Sequence, residues 1–261
     1  MLRNLIPTYF CAVFQITDKI LQVQSVDSTN NYIAKLYREG KVSVGSAVMA
    51  EFQESGKGQM GNVWESEPGK NVLISFLLPG FGLKPENSFI ISKWFAVCLH
   101  AYLQKQFRIA CLVKWPNDIV TEQGKLGGIL IESSLAGKQY QSHVIGLGLN
   151  VGQADFAEGI NGTSLLMETG KTVRPLEVAL GLIETMNKWS SLMELGQFEK
   201  IEQLYWNVLW NKGEHVVQDE VAKMQRTIRV KEVTKKGELI AEDVNNQSPL
   251  SYSLKELKWL V

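Results

Sequence analysis

Lys114 stands in an apolar string, Leu112-Val113-Lys114-Trp115, with Ile119-Val120 a few residues further on. A lysine inside a buried strand is costly to desolvate unless something negative meets it. A substrate carboxylate or phosphate would be such a partner. The alternative is an edge lysine whose stem packs on apolar surface while its ammonium reaches water. The neighbouring Asn117-Asp118 carries the turn chemistry that would end the strand.

Upstream, Gly56-Lys57-Gly58-Gln59-Met60-Gly61 fits a GxGxxG pattern. A dinucleotide-binding reading needs a helix directly after it. Here Trp64, Pro68 and Gly69 follow, then an apolar strand, so that reading fails; no GxxxxGK[ST] string occurs either. A glycine loop between strands can still bring backbone N–H groups close to an anion, with Lys57 adding charge. It can equally be a plain hairpin tip. Trp64 is either a core tryptophan or an aromatic face for a base.

Lys125-Leu126-Gly127-Gly128-Ile129-Leu130-Ile131-Glu132 and Gly146-Leu147-Gly148-Leu149-Asn150 place glycines inside strands. Strand glycines weaken a sheet unless a bulge, tight packing or a close ligand calls for them. With the Lys114 strand, these segments could floor one narrow pocket.

The elements that must position these residues follow from the patterning. Tyr9 to Ile16 and Val23 to Val26 read as strands. Asp27-Ser28-Thr29-Asn30 offers N-cap residues for a helix that Gly40 closes. Ser46 to Glu54 and Asn71 to Leu78 read as strands. Asn87 or Ser88 would cap a long apolar helix ending near Phe107. Strands are expected at Leu112–Trp115, Leu126–Glu132 and His143–Val151, and helices at about Pro175–Leu195 and Phe198–Trp210. Past Lys212-Gly213 only short alternating stretches remain: His215–Val217, Thr227–Val233, Glu238–Glu242 and Tyr252–Leu257. The expected fold is α+β with a mixed or mainly antiparallel sheet, residues 1–211, followed by a small β barrel, residues 212–261.

Composition narrows the class. The chain has 261 residues, 45% apolar and 21% charged, with 27 basic and 27 acidic side chains. That balance excludes wholesale disorder and argues against a generally basic nucleic-acid binder. Cys11, Cys98 and Cys111 are far apart, and His100, His143 and His215 form no ligand spacing, so neither a disulfide framework nor a structural zinc site is expected. No run is long enough for a membrane span and no targeting segment is evident, which makes the cytoplasm the default.

In this order the segments resemble the biotin protein ligases. The matching strings are Asp27-Ser28-Thr29-Asn30, Glu51-Phe52-Gln53, Gly61-Asn62-Val63-Trp64, Lys114-Trp115-Pro116-Asn117-Asp118, Lys125 to Leu130, and Gly146 to Asn150. The Lys-Trp-Pro-Asn-Asp string followed by Lys-Leu-Gly-Gly-Ile-Leu is the most specific. The resemblance implies a class II synthetase-like catalytic domain with an SH3-like C-terminal module. It also implies a two-step reaction, in which biotin and Mg2+-ATP give biotinyl-adenylate and a lysine of a biotin carboxyl carrier domain then takes the biotinyl group. Lys114 would be the catalytic lysine. Biotin contacts would fall to Ser28, Thr29, Asn30, Gln53, Lys57, Gly58, Gln59 and Lys114. Nucleotide contacts would fall to Gln59, Asn62, Trp64, Lys125 and Asn150, with Mg2+ carried by ATP rather than by protein ligands.

This chain departs from the family's Gly-Arg-Gly-Arg-Arg-Gly loop, because Lys57 and Gln59 replace two arginines. Lys57 keeps charge without the bidentate fork, and Gln59 has none. The first motif begins at residue 27, so no N-terminal DNA-binding domain, nucleic-acid partner or membrane partner is expected; a homodimer is compatible with the resemblance. A lipoate–protein ligase and a non-catalytic biotin-binding regulator are the alternatives. The lipoate family's Arg-Arg-x-Ser-Gly-Gly-Gly string is absent from the chain.

Overall fold

A computed structural model describes residues 14–260, apart from the side chain of Met60. Two sheets organise the chain. The first has seven strands: β1 (Leu21–Val26), β2 (Ala47–Gln53), β3 (Val72–Pro79), β4 (Leu112–Lys114), β5 (Asp118–Val120), β6 (Lys125–Ala136) and β7 (Gln139–Leu149). Their spatial order is β1-β2-β3-β7-β6-β5-β4. Only β1 and β2 run parallel; the other neighbours are antiparallel.

β3 is buried from Val72 to Leu78, as a central strand covered on both faces must be. Ile74, Phe76 and Leu78 pack with α2 (Ile90–Phe107) and the α4 helix (Pro175–Glu194), and with α5 (Phe198–Val208), in the main core. Leu77 and Val144 face the other way, onto Ile33 and Leu36 of α1 (Thr29–Arg38). The main helical layer therefore covers one face, and α1 with the functional cleft covers the other. α2 is apolar nearly all round, because the sheet, α4 and α5 surround it.

The second sheet is five-stranded and antiparallel: β8 (Gly213–Asp219), β9 (Met224–Val233), β10 (Leu239–Asp243), β11 (Pro249–Tyr252) and β12 (Leu257–Trp259), in the order β11-β10-β9-β8-β12. Its Arg226 joins the Asp219 and Asp243 carboxylates at 3.0 and 2.9 Å. Trp115 Nε1 donates to the Gly237 carbonyl at 2.9 Å, and the buried Lys93 ammonium donates to the Val233 carbonyl at 2.7 Å. These bonds seat the small sheet on the larger unit.

Most expected elements are present, with instructive differences. The Asn-Asp turn does not end the pairing: Asp118 opens β5, a three-residue strand too short to be read from periodicity. The long helix starts at Ile90 with no side-chain cap, after a 3-10 turn at Pro85–Asn87. The Phe89 amide, one residue before the helix, bonds the Lys235 carbonyl at 3.0 Å. α5 stops at Val208 rather than Trp210, because Leu209 and Trp210 run beside β4 and the Trp210 amide bonds the Val113 carbonyl at 2.8 Å. A short α3 (Leu165–Thr169), capped by Ser164 and Gly170, was not anticipated.

The expected strand Tyr9–Ile16 lies mostly outside the described residues, as does Cys11. Phe14 to Ile16 are irregular, and Ile16 exchanges two hydrogen bonds with the Asn187 side chain of α4, at 2.7 and 2.9 Å. Cys98 and Cys111 are buried free thiols, and burial pushes Cys111 up to about 12. No helix among the described residues is long and apolar enough to cross a membrane.

Candidate active site

Sheet register gathers the chemistry. Lys114 pairs with Asp118, Asp118 with Gly128, Gly128 with Gly148, and Gly148 with Leu73. Directly paired residues point to the same face, so one row crosses β4, β5, β6, β7 and β3 on the face opposite the main helical layer. The next row holds Leu130, Gly146 and Ser75. Above these rows lies a cleft of about 440 Å³. It is lined by Ser28, Thr29, Asn30, Gln53, Lys57, Gly58, Gln59, Asn62, Trp64, Lys114 and Lys125. Every site residue expected from the sequence is thus in its lining, except Asn150.

The N-terminus of α1 and the end of β2 form one end of the cleft. Gln53 Oε1 accepts from the Thr29 amide at 2.8 Å and from Thr29 Oγ1 at 3.0 Å. With its oxygen so engaged, Gln53 turns its NH2 group the other way, as a donor. Asn30 is oriented in the opposite sense. Its Nδ2 donates to Glu132 Oε2 at 2.8 Å, while the Ser75 hydroxyl donates to its Oδ1 at 2.6 Å. A carboxylate only accepts, so the Asn30 oxygen is the atom turned towards Gly146, where a Cβ would lie 2.4 Å from it. Within this end, one amide offers a donor and the other an acceptor.

The glycine loop is a small hairpin tip. Gly58 N donates to the Asn62 carbonyl at 2.7 Å, Trp64 N to the Gly56 carbonyl at 2.9 Å, and Lys57 pairs with Val63. A 3-10 turn spans Gln59–Gly61, and β3 follows, so no helix continues the GxGxxG string. Lys57 Nζ donates to Asn31 Oδ1 at 2.7 Å; Asn31 in turn donates to Asp27, and that hydrogen bond holds the Asp27 carboxyl below its usual range.

The strand glycines have a physical reason. The Trp64 indole lies on them: a Cβ at Gly148 would be 2.3 Å from Trp64 Cε2, and one at Gly128 would be 3.1 Å from Cζ3. Trp64 is half-buried, with Lys125 Nζ 5.6 Å from its ring centroid. Lys125 also pairs with Asp118 at 2.7 Å.

Lys114 is half-buried on the edge strand β4. Burial pulls its ammonium below the ordinary lysine range, Asp118 pushes it back up, and Lys125 pulls it down. Asn150 is buried beneath the floor. Its Nδ2 donates to the Thr163 carbonyl at 2.9 Å and to the Lys125 carbonyl at 3.3 Å, so it braces the strand end instead of lining the cleft.

Some residues were not anticipated. Ser75 left one signal, a lone hydroxyl in the apolar run Val72–Leu78. Glu132 left only its place at the end of a glycine strand. Leu254, Lys255, Leu257, Lys258 and Trp259 also line the cleft, from the C-terminal sheet. Nothing in their local sequence marks them, since they arrive through packing across the whole chain. Among the described residues no three His, Cys, Asp or Glu side chains are placed to hold a metal ion.

Residues 22–150 fit the model of the biotin/lipoate A/B protein ligase family. The chain is 31% identical over 187 residues to the bifunctional ligase/repressor BirA of Escherichia coli, covering 64% of this chain and 57% of that one. It is 27% identical over 202 residues to the biotin--[acetyl-CoA-carboxylase] ligase of Paracoccus denitrificans, covering 73% and 81%. The fold matches the Aquifex aeolicus biotin protein ligase in complex with biotin and ATP, with a TM-score of 0.74 at 24% identity over 92% of this chain and 98% of that one. The matched stretch thus spans little more than half of the BirA chain.

Proposed function

We propose that the chain is an ATP-dependent biotin–protein ligase. It would join the biotin carboxylate to ATP, giving biotinyl-adenylate and pyrophosphate. It would then pass the biotinyl group to a lysine of a biotin carboxyl carrier domain, releasing AMP. The observation that carries this reading is the opposed orientation of Gln53 and Asn30. A cyclic urea presents a carbonyl beside N–H groups, which a donor and an acceptor can satisfy together. The dithiolane of lipoate presents neither, and leaving such buried polar groups unpaired is costly. The relatives described as biotin ligases support the same choice.

In the first step a carboxylate oxygen attacks the α-phosphorus, and the bond to the bridging oxygen of pyrophosphate breaks. Two anions must be brought together, and negative charge grows on the leaving oxygens. Lys114, on the row with Asp118, and Lys125, whose ammonium lies 5.6 Å from the Trp64 ring centroid, would offset that charge. Trp64 would offer its free face to adenine, with Asn62 and Gln59 beside it. Lys57, Gly58, Ser28 and Thr29 would complete the biotin end, and Asn150 would hold the floor under the nucleotide. In the second step the carrier lysine attacks the acyl carbon, the bond to phosphate breaks, and the amine proton leaves to solvent.

Among the described residues Asp118 is the only carboxylate lining the cleft, and it is paired with Lys125. That donor set fits Mg2+ arriving on the ATP phosphates rather than in a protein cage. We divide the chain at residues 211 and 212 into a catalytic unit and a C-terminal unit that closes the cleft, and assign it to the cytoplasm. The test is pyrophosphate release on addition of ATP with biotin or with lipoate, followed by mass analysis of a carrier domain. Release with biotin alone and a biotinyl mass shift are expected. Release with lipoate alone, or with neither, would sink the reading.

A further inference from the structure

Lys114 has no ion pair among the described residues. Its ammonium instead lies over the indole of Trp210, 4.8 Å from the ring centroid, within the reach of a cation–π contact. Trp210 belongs to none of the ligase-like strings and does not line the cleft. It approaches Lys114 from the linker between the two sheets.

That indole is braced by the C-terminal sheet. His215 stacks on it at 4.9 Å with a 33° tilt, Trp259 meets it edge-on at 5.9 Å, and His215 and Trp259 meet each other at 5.3 Å. The backbone is tied as well. The Trp210 amide bonds the Val113 carbonyl, one residue before Lys114, and Asn211 Oδ1 accepts from the Trp115 amide at 2.7 Å, one residue after it. Lys114 is therefore bracketed by two hydrogen bonds to the linker and covered by its aromatic ring.

We propose that Trp210, held by His215 and Trp259, is the positioning residue for Lys114: its ring face aims the ammonium into the cleft and keeps it charged. This rests on the ligase reading for its catalytic consequence. A lysine stem has four rotatable bonds, and an unpartnered ammonium would otherwise turn to water. The negative face of the ring opposes the loss of charge that burial and Lys125 favour, in the same sense as Asp118. Lys57, Lys255 and Lys258 are the other cations lining the cleft. The arrangement also makes the C-terminal sheet part of the chemistry, since it fixes the ring that fixes the lysine.

The experiment uses the full chain with Trp210→Leu, Trp210→Phe, and site-specific replacement of Trp210 by tryptophans carrying increasing numbers of fluorines. Fluorination weakens the ring's negative face with little change of shape, so it stays informative if Trp210→Leu does not fold. One readout needs no substrate: the pH dependence of Lys114 acylation by a small reagent, followed by mass spectrometry. Its midpoint should fall by about half a unit, a threefold change in proton affinity, in Trp210→Leu and stepwise with fluorination. The other readout is pyrophosphate release with biotin and ATP. There kcat should fall about tenfold and KM for biotin stay within about twofold, with Trp210→Phe recovering most of the loss. An unchanged labelling midpoint, or a kcat indifferent to fluorination, would overturn the proposal. If the parent protein releases no pyrophosphate, the ligase reading fails while the labelling still decides whether the ring holds the charge.

Discussion

The indole of Trp64 rests on Gly148 so closely that a Cβ at Gly148 would lie 2.3 Å from its Cε2 atom. Two residues far apart in the chain thus share one function, a flat aromatic wall on a sheet that has been thinned to receive it. Gly148→Ala should lift the ring and disturb the half of the cleft proposed for the nucleotide, leaving the Gln53–Asn30 end intact. Trp64→Ala removes the wall itself. Stacking of a base on an aromatic ring is worth about 1–3 kcal/mol, so both variants should raise the apparent KM for ATP about tenfold or more. The KM for biotin should move less than about twofold. Steady-state pyrophosphate release checks this; an equal rise for both substrates would contradict it.

Lys114→Ala should lose adenylation while remaining folded. Removing one contact that stabilises developing charge costs roughly 100-fold to 1,000-fold in rate. Pyrophosphate release measures the loss, and an unaltered thermal unfolding curve shows that it is chemical. A rate within about threefold of the parent, a difference of only about 0.7 kcal/mol, would remove Lys114 from the mechanism.

Glu132 should matter for biotin although it does not line the cleft. It holds the Asn30 nitrogen at 2.8 Å, and so turns the Asn30 oxygen inward. Glu132→Ala releases that constraint. The loss of a hydrogen bond to a charged group, about 1.5–3 kcal/mol, should weaken biotin binding by at least tenfold. Glu132→Gln, which keeps an acceptor, should recover part of it. Calorimetry with biotin in the absence of ATP is the direct measurement.

Burial pushes the His143 imidazole down to about 4. Because its folded value lies below its unfolded value, the unfolded chain takes up the proton first as pH falls. Stability is therefore undiminished above about 6.5, and is lost progressively between about 6.5 and 4. The loss from this group between pH 7.5 and 5 is about 2 kcal/mol. His143→Gln should flatten that part of the profile in denaturant unfolding at the two pH values. A variant as acid-sensitive as the parent would show that other groups set the dependence.

Several features were legible in the residues alone. The glycine-bearing strands, the loop that is not a dinucleotide fold and the change of character near residue 212 all rest on local pattern, whereas the lysine read as lying in a buried strand is half-buried on the edge strand β4. Local pattern is enough there, because a strand, a turn or a glycine loop is specified by residues a few positions apart. The partners of those residues were not legible. Asp118 reads as a turn residue until antiparallel pairing sets it opposite Lys114. Nothing in the sequence around Asn150 shows that its Nδ2 donates to the Thr163 and Lys125 carbonyls.

The sequence by itself determined which chemical groups are present and on which strands and loops they sit. Tertiary structure alone decided the row that joins Lys114 to Gly148, the orientation of the Asn30 and Gln53 amides, and the arrival of Trp210, braced by Trp259, against the lysine. Each of these depends on register or on packing between segments tens to hundreds of residues apart. A one-residue slip in register would turn every side chain of a strand to the opposite face, and short-range patterning carries no term for the partner that prevents it.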